Sequence, residues 1–125
     1  MHDILIVDDE ALVLFDLVMT VEDLGYRVHS ESTTVDSAIS ALNAGSPPDL
    51  ALLDIDVGGS PVWPLARKIV SRGTPVVFIS ANLNHEELRG EFADCAKLDK
   101  PASKDEIANA IASLLEGQQE CPISR

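Results

Sequence analysis

At four places along the chain, a charged or hydroxylic residue comes directly after a short apolar run. Asp8, Asp9 and Glu10 follow Ile4–Val7, Asp54 follows Leu50–Leu53, Ser80 follows Val76–Ile79, and Asp99-Lys100-Pro101 follows Cys95–Leu98. Adjacent carboxylates repel, so the first cluster calls for a cation, and a hard divalent ion such as Mg2+ (or Mn2+) suits its oxygens. A solvated acidic loop would account for that cluster by itself. It does not account for a reactive or charged group at one apolar run's end after another.

These residue types fit phosphoryl transfer, which depends on positioning and on neutralising the oxygens of the moving group. A carboxylate can be the nucleophile and form an acyl phosphate. Asp54 is the expected nucleophile, because it ends the most apolar run. Asp8 and Asp9 are expected to hold the metal. Lys100 and the Ser80 hydroxyl would neutralise and hydrogen-bond the phosphoryl oxygens.

The elements that must position these residues alternate between strand-like and helix-like, as in βα units around a parallel sheet. Continuous apolar runs such as Leu50–Leu53 read as strands buried on both faces. Helices are predicted over Ala11–Leu24, from Thr33 or Thr34 to Gly45, from Pro61 and Pro64 to Gly73, over Asn84–Phe92, and from Ser103 to Gly117. The first should bury Ala11, Leu14, Leu17, Val18 and Val21; the third, Leu65, Ala66, Ile69 and Val70. Asn84–Phe92 is the weakest: it has an Asn84/Glu87 capping pair, but only Leu88 and Phe92 as anchors and Gly90 inside it. Tyr26–Ser30 reads as a polar edge strand, and Ile55–Ser60 as a loop centred on Gly58-Gly59. In such a sheet, ligands bind beyond the carboxyl ends of the strands, where strand order reverses. The acids, the serine and the lysine all fall there. On the first helix, Leu12, Phe15 and Met19 form a second apolar stripe opposite the core face, a candidate docking surface.

The totals set limits. A chain of 125 residues with 46% hydrophobic and 24% charged residues is one globular domain. A net charge of −12, with scattered Lys and Arg, argues against binding nucleic acid or an anionic membrane. No apolar run approaches a membrane span, and no secretory signal is visible. Cys95 and Cys121 make no disulfide framework, so a reducing cytoplasm is the expected compartment.

The combination closely resembles the receiver domain of two-component response regulators, over residues 2 to about 116. The resemblance rests on Asp8-Asp9 after Ile4–Val7, Asp54 after Leu50–Leu53, Ser80-Ala81 after Val76–Ile79 and Lys100-Pro101 after Lys97–Asp99. It implies a flavodoxin-like (βα)5 doubly wound parallel sheet of strand order 2-1-3-4-5. It also implies Mg2+-dependent transfer of phosphate to Asp54 from a phosphohistidine of a histidine kinase or histidine phosphotransfer protein, then slow hydrolysis. Asp54 and the Asp56 backbone carbonyl would join the metal ligands, and the Lys100–Pro101 bond would be cis. Kinase helices would dock on the Leu12, Phe15 and Met19 stripe. The expected organisation is a stand-alone receiver over 1–117, a monomer or weak homodimer, with a frayed tail over 118–125 and an unknown downstream protein as its target. Two positions depart from the family pattern: Lys97 stands where an aromatic switch residue is common, and Ala102 where Phe is common, which implies looser local packing.

A haloacid-dehalogenase-type phosphatase is the alternative, since Asp54-Ile55-Asp56 resembles its Asp-x-Asp pair. Its nucleophile, however, usually ends the first strand. Flavodoxin proper is excluded by charge, because Asp8-Asp9-Glu10 would repel the phosphate its first loop must cradle.

Overall fold

In a computed structural model, which describes the backbone of residues 1–124 and the side chains of residues 1–115, five parallel strands form one sheet between two helical layers. The elements in chain order are β1 (Asp3–Val7), α1 (Ala11–Asp23), β2 (Arg27–Ser32), α2 (Val35–Asn43), β3 (Leu50–Leu53), the short strands β4 (Asp56–Val57) and β5 (Ser60–Pro61), α3 (Trp63–Ser71), β6 (Val76–Ser80), α4 (Glu86–Arg89), β7 (Ala96–Asp99) and α5 (Lys104–Ser124). The sheet order is β2-β1-β3-β6-β7, which is 2-1-3-4-5 once the β4–β5 hairpin is set aside. This is the flavodoxin-like doubly wound arrangement expected from the sequence.

The apolar runs take the positions their composition requires. Ile4 to Val7, Leu50 to Leu53 and Val76 to Ile79 are all buried, because β1, β3 and β6 are covered on both faces. Alternate residues feed two cores. Leu5, Val7, Leu53 and Phe78 pack with α2 and α3, while Ile4, Ile6, Leu52 and Val77 pack with α1 and α5. Each fully buried residue of this kind contributes about 1.5–3 kcal/mol relative to exposure. The more polar β2 is an edge strand, as its composition suggests.

Helix signals written in side chains are seen in the structure. Thr34 Oγ1 accepts from Ser37 N, and Ser103 with Glu106 forms a reciprocal capping box (3.0 and 2.9 Å). Gly25, with φ of 93°, follows α1 in the left-handed conformation that a helix C-terminus often requires.

Several expectations need correction. Ala11 and Val70 are exposed; they lie in the terminal turns of their helices, Ala11 as the first residue of α1 and Val70 as the last but one of α3. The loop expected over Ile55–Ser60 contains the antiparallel β4–β5 pair, turned by Gly58 and Gly59 at φ of 61° and 83°. Such a turn gives no periodic signal. The fourth helix shrinks to Glu86–Arg89, and the Asn84/Glu87 cap does not form, because Asn84 N donates instead to Asn82 Oδ1 (2.9 Å). α5 continues past Gly117, where the glycine signal placed its end. The side chains of the expected tail, 118–125, lie outside the described residues.

Candidate functional site

The sheet brings the reactive residues together by extending its ladder past the strand ends. Asp8 N donates to Ser32 O (3.1 Å), Asp54 N to Val7 O (3.0 Å) and Lys100 N to Ser80 O (3.0 Å). Asp8, Asp54, Ser80 and Lys100 are therefore each held in register with a neighbouring strand by a main-chain bond. Side-chain direction follows from the pleat: Asp8 and Asp54 sit one residue beyond paired Val7 and Leu53 at the crevice where strand order reverses.

Asp8 is 1% exposed, while Asp9 is exposed and Asp54 buried. One oxygen of each is engaged by the main chain. Asp8 Oδ1 accepts from Glu10 N (2.9 Å), Asp54 Oδ1 from Ile55 N (2.7 Å), and Asp9 Oδ2 from Gly58 N (3.1 Å). The Lys100 ammonium reaches between the two buried acids, 2.8 Å from Asp8 Oδ2 and 3.1 Å from Asp54 Oδ2. It donates a hydrogen bond to Asp54 and pairs at shorter range with the buried Asp8, so one ammonium is shared between two acids. The Lys100–Pro101 peptide is cis, as the resemblance implied.

Burial pushes the Asp54 carboxyl up, against the pull of the Lys100 hydrogen bond and the Ile55 amide, with the Asp8 charge pushing the same way as burial. Burial also pulls Lys100 down, but its contacts with Asp8 and Asp54 outweigh that, and its pKa is raised. Burial thus outweighs the Lys100 contact at Asp54, and that lysine is the largest influence acting the other way.

A divalent ion fits what is left. Oxygens of Asp8, Asp9 and Asp54 lie within 4.8 Å of one another. Three carboxylates against one ammonium leave a surplus of about two negative charges (−3 + 1). Hard oxygens in this number suit Mg2+ or Mn2+. Asp56 is exposed at the start of the hairpin.

Ser80 is buried at the end of β6, and its hydroxyl donates to Asn82 O (3.1 Å) and accepts from Asn82 N (3.2 Å). Lys97 folds back to cap the carbonyls of Ala93 (3.1 Å) and Cys95 (2.7 Å). Beside Ala102, a cavity of about 430 Å³ opens among Val13, Leu17, Ile79 and Ile107. On α1, Leu12 is 81% and Phe15 60% exposed, with Met19 beside them, so the second stripe is uncovered among the described residues.

One group near the site was missed in the sequence. Trp63 stacks on Phe92 (5.6 Å between centroids, 19°) and meets His85 and Phe78 edge-on (5.6 and 5.8 Å). A lone tryptophan between Val62 and Pro64 at a helix start was the available signal.

Residues 4–112 match the family model for the response regulator receiver domain. Among solved structures, the chain is similar to SdrG from Sphingomonas melonis Fr1, with 32% identity over 92% of this chain and 97% of that one, and a TM-score of 0.77. It is also similar to a response regulator receiver protein from Sinorhizobium medicae WSM419, with 30% identity, coverage of 92% and 94%, and a TM-score of 0.81. A CheY-like receiver from Methanospirillum hungatei JF-1 shares the fold, with 22% identity, coverage of 96% and 98%, and a TM-score of 0.84. No curated protein matches the chain.

Proposed function

Because the chain belongs to the response regulator receiver family, we propose that it accepts a phosphoryl group on Asp54 from a phosphohistidine and signals through the contacts that this changes. The observation that carries the proposal is the convergence of Asp8, Asp9 and Asp54 oxygens within 4.8 Å, with the Lys100 ammonium 3.1 Å from Asp54.

In the transfer, an Asp54 carboxylate oxygen attacks phosphorus while the bond from phosphorus to the donor imidazole nitrogen breaks. The bonding pair leaves with that nitrogen, and the product is an acyl phosphate. Asp8, Asp9 and Asp54 would hold the divalent ion, with the Asp56 carbonyl as a further ligand. When bound, the ion supplies positive charge for the phosphoryl oxygens. Lys100 turns its N–H groups from Asp54 to the phosphoryl group it then carries. The Ser80 hydroxyl donates to another phosphoryl oxygen. Hydrolysis by water later restores the Asp54 carboxylate and releases phosphate.

The donor would be a histidine kinase or phosphotransfer protein that packs an apolar helix face on Leu12, Phe15 and Met19. A cytoplasmic setting suits such a donor, and among the described residues no helix is long and apolar enough to cross a membrane.

The test is transfer from a radiolabelled, autophosphorylated histidine kinase domain. Label should move to the wild type and not to Asp54→Asn. Label on the Asn variant, or on neither protein with any donor, would overturn the proposal.

A further inference from the structure

Asp9 differs from the other two acids of the cluster in what holds it. Asp8 Oδ1 is bonded to Glu10 N and Asp54 Oδ1 to Ile55 N, each close by along the chain, and Lys100 pairs with both acids. Asp9 is exposed. Among the described residues its carboxylate has one hydrogen-bond partner, the Gly58 amide, which lies 3.1 Å from Oδ2 and 49 positions away in sequence.

The β4–β5 hairpin holds that amide in place. Ile55, Val57 and Val62 are buried in one of the two cores, so the legs of the hairpin are anchored. Gly58 and Gly59 close it with positive φ at both positions, the conformation of a tight two-residue type I′ turn. Its hydrogen bonds alternate along the legs. Val62 N donates to Ile55 O (2.9 Å), so in the next pair, Asp56 with Pro61, the main-chain groups face outward. Pro61, which has no N–H to give, fits that position. By the same alternation, the Asp56 carbonyl and the Gly58 N–H leave β4 along one edge. The bond from Gly58 to Asp9 fixes that edge as the one facing the acid cluster.

We propose that the β4–β5 hairpin is a positioning arm for the divalent ion, in which the Gly58 N–H keeps the exposed Asp9 carboxylate beside Asp8 and Asp54. This rests on the reading above of these three acids as the ion's ligands. Without the bond, Asp9 would turn freely in water, and the ion would have to order it on binding. A hydrogen-bonded partner behind a metal-ligating group typically changes metal affinity by ten- to a hundredfold. The coupling is reciprocal: the factor that the tether adds to the ion's affinity is the factor that the ion adds to the tether's stability. The exposed tip of the hairpin is therefore an element whose order follows occupancy of the metal site.

The test needs no phosphodonor. Mg2+ binding to the full chain is measured by titration calorimetry, and exchange of the Gly58 amide with water by NMR. Gly58→Pro, which removes the N–H, should bind Mg2+ about tenfold or more weakly than the wild type, with its metal-free circular dichroism unchanged. Gly58→Asn keeps the N–H, and Asn tolerates positive φ better than most side chains, so this variant should bind Mg2+ like the wild type. In the wild type, saturating Mg2+ should slow Gly58 exchange by about the same factor that Gly58→Pro loses in affinity. If Gly58→Pro does not fold, the wild-type exchange decides alone. Equal Mg2+ affinity in a folded Gly58→Pro, a Gly58→Asn as weak as the proline variant, or Gly58 exchange indifferent to Mg2+ would overturn this inference and leave the acceptor reading intact. A wild type that binds no Mg2+ would overturn the ion-binding reading on which both rest.

Discussion

The Lys100 ammonium lies 2.8 Å from Asp8 Oδ2, a buried carboxylate oxygen. The lysine offsets that charge while also bonding Asp54, so it serves two buried acids at once. Removing it leaves two buried carboxylates facing each other. Lys100→Met should destabilise the fold by roughly 2 kcal/mol, less than for a fully buried pair because the ammonium retains some contact with water. The same relationship sets a pH dependence. The folded pKa of Lys100 is raised, so its stabilising charge is fully present below the ordinary lysine value of about 10.4 and is lost as pH rises through the higher folded value. Wild type should lose stability over that alkaline window, and Lys100→Met should lose less. Urea unfolding at several pH values measures both effects.

A divalent ion that binds the folded acid cluster must stabilise it. At a Mg2+ concentration a hundred times its Kd, the gain should be about 2.7 kcal/mol. Chelator-treated protein should melt lower, and the Mg2+-induced rise in Tm should largely vanish in Asp9→Asn. Thermal melts with and without Mg2+ provide the check, and an equal rise in the variant would place the ion elsewhere.

Phe15 is exposed and contributes little to the core. Phe15→Asp should therefore change stability by no more than about 0.5 kcal/mol. It should slow labelling by a histidine kinase yet leave labelling by acetyl phosphate unchanged. Equal losses with both donors would remove the stripe from the docking account.

Trp63 joins Phe78 and Phe92 in one buried aromatic group. Trp63→Ala should cost about 3–5 kcal/mol through lost burial and the cavity left behind. Denaturant unfolding followed by circular dichroism would measure it.

Most of the fold was legible because buried parallel strands leave continuous apolar runs. Ile4–Val7, Leu50–Leu53 and Val76–Ile79 each mark a strand and, by ending in a polar residue, mark the site. What could not be read arises from contacts distant in sequence or from very short elements. The Trp63–His85–Phe92 group joins residues from α3 and the segment around α4, and periodicity carries no trace of it. The two-residue strands β4 and β5 are too short to show alternation. The Asn84/Glu87 cap failed because Asn82, two residues earlier, offered its side-chain Oδ1 to the Asn84 amide. At the site, residue types were readable, but the sharing of Lys100 between Asp8 and Asp54 and the tether from Gly58 N to Asp9 required coordinates.

The central claim is that Asp54 accepts the phosphoryl group with the help of a divalent ion. Intact mass after incubation with acetyl phosphate tests it most directly. Wild type should gain one phosphoryl group with Mg2+ and none with a chelator, and Asp54→Asn should gain none in either case. An undiminished gain on Asp54→Asn, or a wild type that gains the group equally well without the ion, would contradict the account.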